Sequence, residues 1–224
     1  MGSFVRVDRP VDKVGLVMLQ RTIKRNALSI GLRDEVSAAI ETLVQDETVS
    51  VLVLTGASGV FSTGFDLQEF GLLDDPDSAA RLWASSDRFH QTIMNCPLPT
   101  VAAVNGQALA GGFDLAVMCD MRIAAASAVF AHPEVVFGDV VYAPLQELLG
   151  GAIARDLCLT GRKVSADEAL ALGLVSRVVP DNELLPAAFA LAAEIARSPR
   201  HLLQRVKGKI LARAALDFST TLDL

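Results

Sequence analysis

Residues 99–119 read Pro-Thr-Val-Ala-Ala-Val-Asn-Gly-Gln-Ala-Leu-Ala-Gly-Gly-Phe-Asp-Leu-Ala-Val-Met-Cys, with Gly111 and Gly112 just ahead of a helical pattern of Leu115, Ala116 and Met118. The start of a helix leaves backbone N–H groups without partners, and those donors attract negative charge. Glycine at such a place lets a ligand approach the main chain with no Cβ in the way. Asp114 lies three residues beyond Gly111, within reach of the same pocket. Together these residues could form an oxyanion site with an acid/base group beside it. Glycines that merely permit a tight turn would leave the same pattern.

Other reactive side chains give weaker patterns. Glu134 follows Pro133, a residue that favours the first turn of a helix, where a carboxylate also complements the local dipole. His90, His132 and His201 show no ligand spacing, so no metal site is expected. Ser62 has no His and Asp in a recognisable triad arrangement. Asp139 reads as a turn residue that could also reach a pocket.

The 99–119 segment resembles the signature of the crotonase superfamily, the enoyl-CoA hydratase/isomerase family. Three further segments resemble that family in its own order. They are Leu19-Gln20-Arg21-Thr22-Ile23-Lys24-Arg25-Asn26-Ala27-Leu28, Phe61-Ser62-Thr63-Gly64-Phe65-Asp66-Leu67 and Phe130-Ala131-His132-Pro133-Glu134. The four together span most of residues 4–212.

The resemblance implies an enzyme acting on an acyl-CoA thioester, with CoA carried as part of the substrate and no separate cofactor. It places the oxyanion donors at the N–H groups of Phe65 and Gly111, with Glu134 and Asp114 as the two catalytic carboxylates. It puts Phe113 and Tyr142 near the acyl group, and Lys24, Arg25 and Ala27 near CoA. The implied reaction is hydration or double-bond isomerisation of an enoyl-CoA. Decarboxylation of a malonyl-type CoA through Tyr142, and a non-catalytic acyl-CoA-binding role, are the alternatives.

Two departures bear on the choice. Hydratases of the family carry glutamate where this chain has Asp114, and aspartate reaches about 1.5 Å less, enough to affect catalysis severely. Isomerases of the dienoyl-CoA type resemble this chain in that aspartate. They also carry a further acid eight places after the second carboxylate, where this chain has Tyr142.

The elements that must position these groups are legible from patterning. Residues 3–8 and 13–20 alternate as a hairpin around Pro10 and Asp12-Lys13. Ser29 caps a helix whose inner face is Leu32, Val36, Ile40 and Leu43. Ser50–Thr55 reads as a buried strand, and a helix is expected from Ser78 to about Asn95, stopped by Pro97 and Pro99. The apolar run Val101–Val104, the Gly111 helix and Met121–Ala124 form a second β–α–β unit. Helices are expected at Leu145–Leu159, Ser165–Leu172, Glu183–Arg197 and Arg200 to about Ala215, with one late strand at Val175–Val179.

Patterning gives the class as α/β. The resemblance refines it to one crotonase-like domain over 1–224, a spiral of stacked β-β-α units to about 180 followed by helices over about 181–224. Members of the family generally continue further, so this C-terminal part reads as shortened. The resemblance also implies a homotrimer or a dimer of trimers.

Composition narrows the function classes. A hydrophobic content of 51% in 224 residues supports a packed core, and only 5% aromatics makes it an aliphatic and alanine core. A net charge of −6 without a basic stripe argues against nucleic acid, while a few local cations suffice for a small anion. No run of about 18 apolar residues suggests a membrane span. The N-terminus shows no signal-peptide pattern, so a cytoplasmic protein is expected. Cys96, Cys119 and Cys158 are odd in number and read as reduced, buried thiols.

Overall fold

A computed structural model of the chain describes residues 2–71 and 73–214. β1 (Val5–Val11) and β2 (Val14–Leu19) pair antiparallel around the Asp12-Lys13 turn, and Pro10 falls inside β1 where the register shifts. Ser29 accepts a hydrogen bond from Leu32 N and starts α1 (Ile30–Gln45), as its sequence indicates.

Three strand–strand–helix units follow. The first holds β3 (Val51–Gly56), β4 (Val60–Ser62), the short α2 (Leu67–Phe70) and α3 (Pro76–Met94). The second holds β5 (Thr100–Val104), β6 (Gln107–Leu109) and α4 (Gly111–Met118). The third holds β7 (Met121–Ala125), β8 (Val129–Ala131) and α5 (Ala143–Thr160). The chain continues through β9 (Val164–Ser165), α6 (Ala166–Ala171), β10 (Arg177–Val179), α7 (Leu184–Ile195) and α8 (Arg200–Ala214).

In each unit the first strand joins a six-stranded sheet of order β1-β2-β3-β5-β7-β10, and the second joins a four-stranded sheet of order β4-β6-β8-β9. Both sheets therefore advance one strand per unit, which is the stacked β-β-α spiral expected. Parallel pairing of β3, β5 and β7 requires both faces of the larger sheet to be covered. Leu52, Leu54, Ala102 and Val104 face the main core with α1 and α3. Val51, Val53, Val101 and Ala103 face the opposite core, closed by Leu184, Ala188 and Ala192 of α7. All eight residues of α4 are buried.

Several elements differ from their sequence reading. Helix α3 begins at Pro76, because Asp75 caps it through Ser78 N, with proline in the first turn. The expected helix from Leu145 is broken at Gly150, whose φ of 75° and ψ of 160° are non-helical. The second sheet has no counterpart in the reading above, since its strands are only two or three residues long. The expected end of the last helix at Ala215, and the rest of the C-terminal segment, lie outside the described residues.

Candidate active site

The two segments read as oxyanion loops are brought together by the smaller sheet. Strand β4 pairs with β6 in parallel, so the residues after each strand emerge side by side. Gly64 has a φ of +84°, and a Cβ there would sit 2.6 Å from Ala110 Cβ and 3.1 Å from Gly111 N. An ideal Cβ on Gly111 would lie 3.8 Å from Phe65 N. The Phe65 and Gly111 N–H groups are thus neighbours. Neither is engaged in a backbone hydrogen bond among the described residues. Glycine is needed at 64 for both its backbone angle and its space.

Strain accompanies this arrangement. Ala110, immediately before α4, has φ 50° and ψ −132°, a region that costs a residue with a Cβ about 1–3 kcal/mol. Its N–H donates to Ala131 O, and its carbonyl accepts from Phe113 N and Asp114 N. Those bonds hold the turn so that the first N–H groups of α4 stay available.

The loop before α1 braces the site from the other side. Leu28 N donates to Gly64 O, Ser62 Oγ donates to Asn26 O, and Arg21 forms a 2.6 Å ion pair with Asp66. Arg33 is wholly buried; its guanidinium donates to Leu28 O and lies 4.6 Å over the Phe65 ring. Desolvation pulls the Arg33 pKa down to about 10, with Glu69 and Asp34 opposing it, so it stays charged at neutral pH.

Asp114, in the first turn of α4, and Glu134, in a short 3-10 turn over Pro133–Val136, are joined by a residue that spacing alone passes over. His132 is fully buried, its Nδ1 2.9 Å from Glu134 Oε1 and its Nε2 3.9 Å from Asp114 Oδ1. Its ring stacks on Phe113 at 4.7 Å and 30°. Asp114 Oδ1, His132 Nε2 and Glu134 Oε2 are buried atoms without a hydrogen-bond partner among the described residues. Three adjacent orphaned polar atoms mark a place built for chemistry rather than for stability.

Burial acts strongly on Asp114. Burial pushes the Asp114 carboxyl up to about 7, His132 pulling it down and Glu134 adding to the rise. For His132, burial disfavours the charged form. The Glu134 hydrogen bond and the two carboxylates outweigh it and raise its pKa.

Tyr142 is half-buried at the start of α5, packed against the main core, with its hydroxyl 3.6 Å from where a Gly151 Cβ would stand. Lys24 and Arg25 are exposed beside the oxyanion loops and hydrogen-bond to Gln68 and Gln107, while Ala27 is buried. Asp139 is exposed and accepts from Val140 N, as a turn residue does. His90 is buried against Ser86 O on α3 with its ring edge-on to that of Phe65 at 6.2 Å, and His201 is exposed on α8.

Known proteins share this fold. The family model described as enoyl-CoA hydratase/isomerase matches residues 11–223. The chain belongs to the enoyl-CoA hydratase/isomerase family. It is 38% identical over 190 residues to a probable mitochondrial enoyl-CoA hydratase of Dictyostelium discoideum, covering 82% of this chain and 67% of that relative. It is 37% identical over 223 residues to the human mitochondrial Delta(3,5)-Delta(2,4)-dienoyl-CoA isomerase, covering 92% of this chain and 68% of that relative. A monofunctional enoyl-CoA isomerase from M. smegmatis superposes with a TM-score of 0.81 at 30% identity, covering 97% of both chains. As a member of this enoyl-CoA family the chain is an enzyme of the hydratase/isomerase type.

Proposed function

We propose that this enzyme moves a double bond within an enoyl-CoA thioester in preference to adding water to it, with Glu134 as the proton carrier. The observation that carries the choice is the state of Asp114. Hydration needs two carboxylates acting together on one water. Here the shorter acid is 4% exposed, and near neutral pH part of it holds its own proton. Isomerisation needs one principal base.

Glu134 suits that part, because Oε1 is held by His132 while Oε2 has no hydrogen-bond partner among the described residues. The Glu134 carboxylate takes the proton from the carbon next to the thioester, breaking that C–H bond. The electron pair moves onto the thioester oxygen, where the Phe65 and Gly111 N–H groups meet the new charge. The same proton returns two carbons further along and the double bond shifts, with no atom gained or lost. Each preorganised donor of this kind is worth about 3 kcal/mol of barrier. Asp114 assists, and CoA enters with the substrate, so no further cofactor is required. Lys24 and Arg25 are placed to meet CoA phosphates and Ala27 to line their approach. Phe113 and Tyr142 bound the acyl side.

A trimer, or a dimer of trimers, is supported by large apolar side chains left at the surface, among them Val136, Phe137 and Leu159. Among the described residues no helix is long and apolar enough to cross a membrane. A cytoplasmic setting is supported by three free, buried cysteines, Cys96, Cys119 and Cys158.

Glu134→Gln tests the assignment, since Gln keeps shape and hydrogen bonding but cannot accept the proton. Thioester binding should persist while turnover falls at least about 100-fold. Unchanged turnover would overturn the role of Glu134.

A further inference from the structure

The geometry points to His132 as a positioning residue that divides labour between the two carboxylates, fixing Glu134 as the base through Nδ1–H and coupling to Asp114 by charge across the gap at Nε2. The inference rests on the proposed role of Glu134 and goes beyond it. Two distances define it: 2.9 Å from Nδ1 to Glu134 Oε1, and 3.9 Å from Nε2 to Asp114 Oδ1. An ionised carboxylate only accepts, so the shorter contact fixes Nδ1 as the protonated nitrogen. That leaves Nε2 as the site that gains and loses a proton, 3.9 Å from an Asp114 oxygen without a hydrogen-bond partner among the described residues.

The surrounding wall limits what else can act. Phe113 from α4 stacks on the ring and supplies no charge, and it keeps the imidazole plane aimed along the Asp114–Glu134 line. The end of α5 closes over the His132 main chain, since a Cβ on Gly161 would come within 2.6 Å of His132 O. From the same helix Cys158 senses both carboxylates, and burial with their charges pushes its thiol up to about 11, so it remains neutral at physiological pH. Asp114 and Glu134 are thus the two charged groups that His132 answers to.

Coupled by charge across 3.9 Å, Asp114 and His132 compete for one proton. Placed on Asp114, it leaves a neutral imidazole that still donates to Glu134. Placed on His132, it leaves two carboxylates flanking an imidazolium. In both arrangements Glu134 keeps Oε1 hydrogen-bonded and Oε2 free toward the reacting carbon.

Substitutions that retain one nitrogen at a time separate the two halves. Asn places its amide near the Nδ1 position, and Gln near the Nε2 position. His132→Gln should lose on the order of 100-fold in kcat with KM little changed, because Glu134 is no longer aimed. His132→Asn should keep kcat within about tenfold while its pH dependence moves, because only the Asp114 link is cut. Nitrogen-15 NMR of labelled histidine in the whole protein reads the same claim without turnover. The His132 Nδ1 should stay protonated while Nε2 titrates, and Asp114→Asn should lower that midpoint by at least about one pH unit. A bare Nδ1, an unmoved midpoint, or parent-like kcat and pH profile in His132→Gln would overturn the inference. Should Glu134→Gln also turn over like the parent, the assignment of Glu134 itself has failed. Loss of activity in Glu134→Gln beside a parent-like His132→Gln refutes the role of His132 alone.

Discussion

Asp114→Asn should convert a pH-dependent stability into a nearly flat one. Burial raises the Asp114 carboxyl from its ordinary 3.8 to about 7, so between those values the folded chain holds a proton that the unfolded chain has released. Stability therefore falls by about 1.4 kcal/mol for each pH unit across that window and levels off above it. Between pH 5 and pH 8 the parent should lose about 2–3 kcal/mol through this one group, since only the part below pH 7 counts. His132 adds to the same trend. A histidine whose folded pKa is raised stabilises the fold below its unfolded pKa and loses that contribution as pH rises through the folded value. Asn cannot ionise and also withdraws the charge that raises His132, so both contributions shrink together. Urea titrations of parent and variant at pH 5, 6, 7 and 8, at one protein concentration, measure the gap. The variant should gain on the parent steadily up to pH 7. A gap of constant size across the series would mean that Asp114 ionises normally, and the argument from its burial would be wrong.

Further outcomes follow from the same geometry. Asp114→Glu restores reach and should raise hydration relative to isomerisation when both are assayed on the same folded variant, although the added methylene can cost 1–3 kcal/mol of stability. Gly112→Ala should be more destabilising than Gly111→Ala by about 1–3 kcal/mol in a denaturation series. The first Cβ would meet Ser62 O at 2.3 Å, and the second nothing nearer than Leu28 Cδ1 at 3.4 Å. Sedimentation at micromolar concentration should give an oligomer, and a lone monomer would remove the assembly reading.

How much of this was legible in the residues depends on the range of the interaction concerned. Leu52 and Leu54 alternate with Val51 and Val53, and Ser29 precedes a 3.6-residue pattern, so the main strands and α1 declare themselves locally. The four strands of the smaller sheet do not, because two or three residues carry no period and their pairing is decided by the larger sheet beneath them. The resemblance singled out Glu134, Asp114, Phe65 and Gly111, and the fold puts Phe65 beside Gly111 and Glu134 within one side chain of Asp114. His132 was set aside because its spacing matches no metal site. Its meaning comes from α4, where Phe113 and Asp114 meet it from nineteen and eighteen residues away. The one signal available in sequence was its position two residues before Glu134, which sets an imidazole and a carboxylate close in a turn.

The most direct test of the central claim gives the purified enzyme a 3-enoyl-CoA and a 2-enoyl-CoA of equal chain length and compares kcat/KM for the two reactions. The account predicts that conversion of the 3-enoyl to the 2-enoyl thioester is faster than hydration of the 2-enoyl thioester, with Glu134→Gln deficient in both. Rapid hydration with no movement of the double bond would contradict it, and would make the buried Asp114 a working hydratase carboxylate.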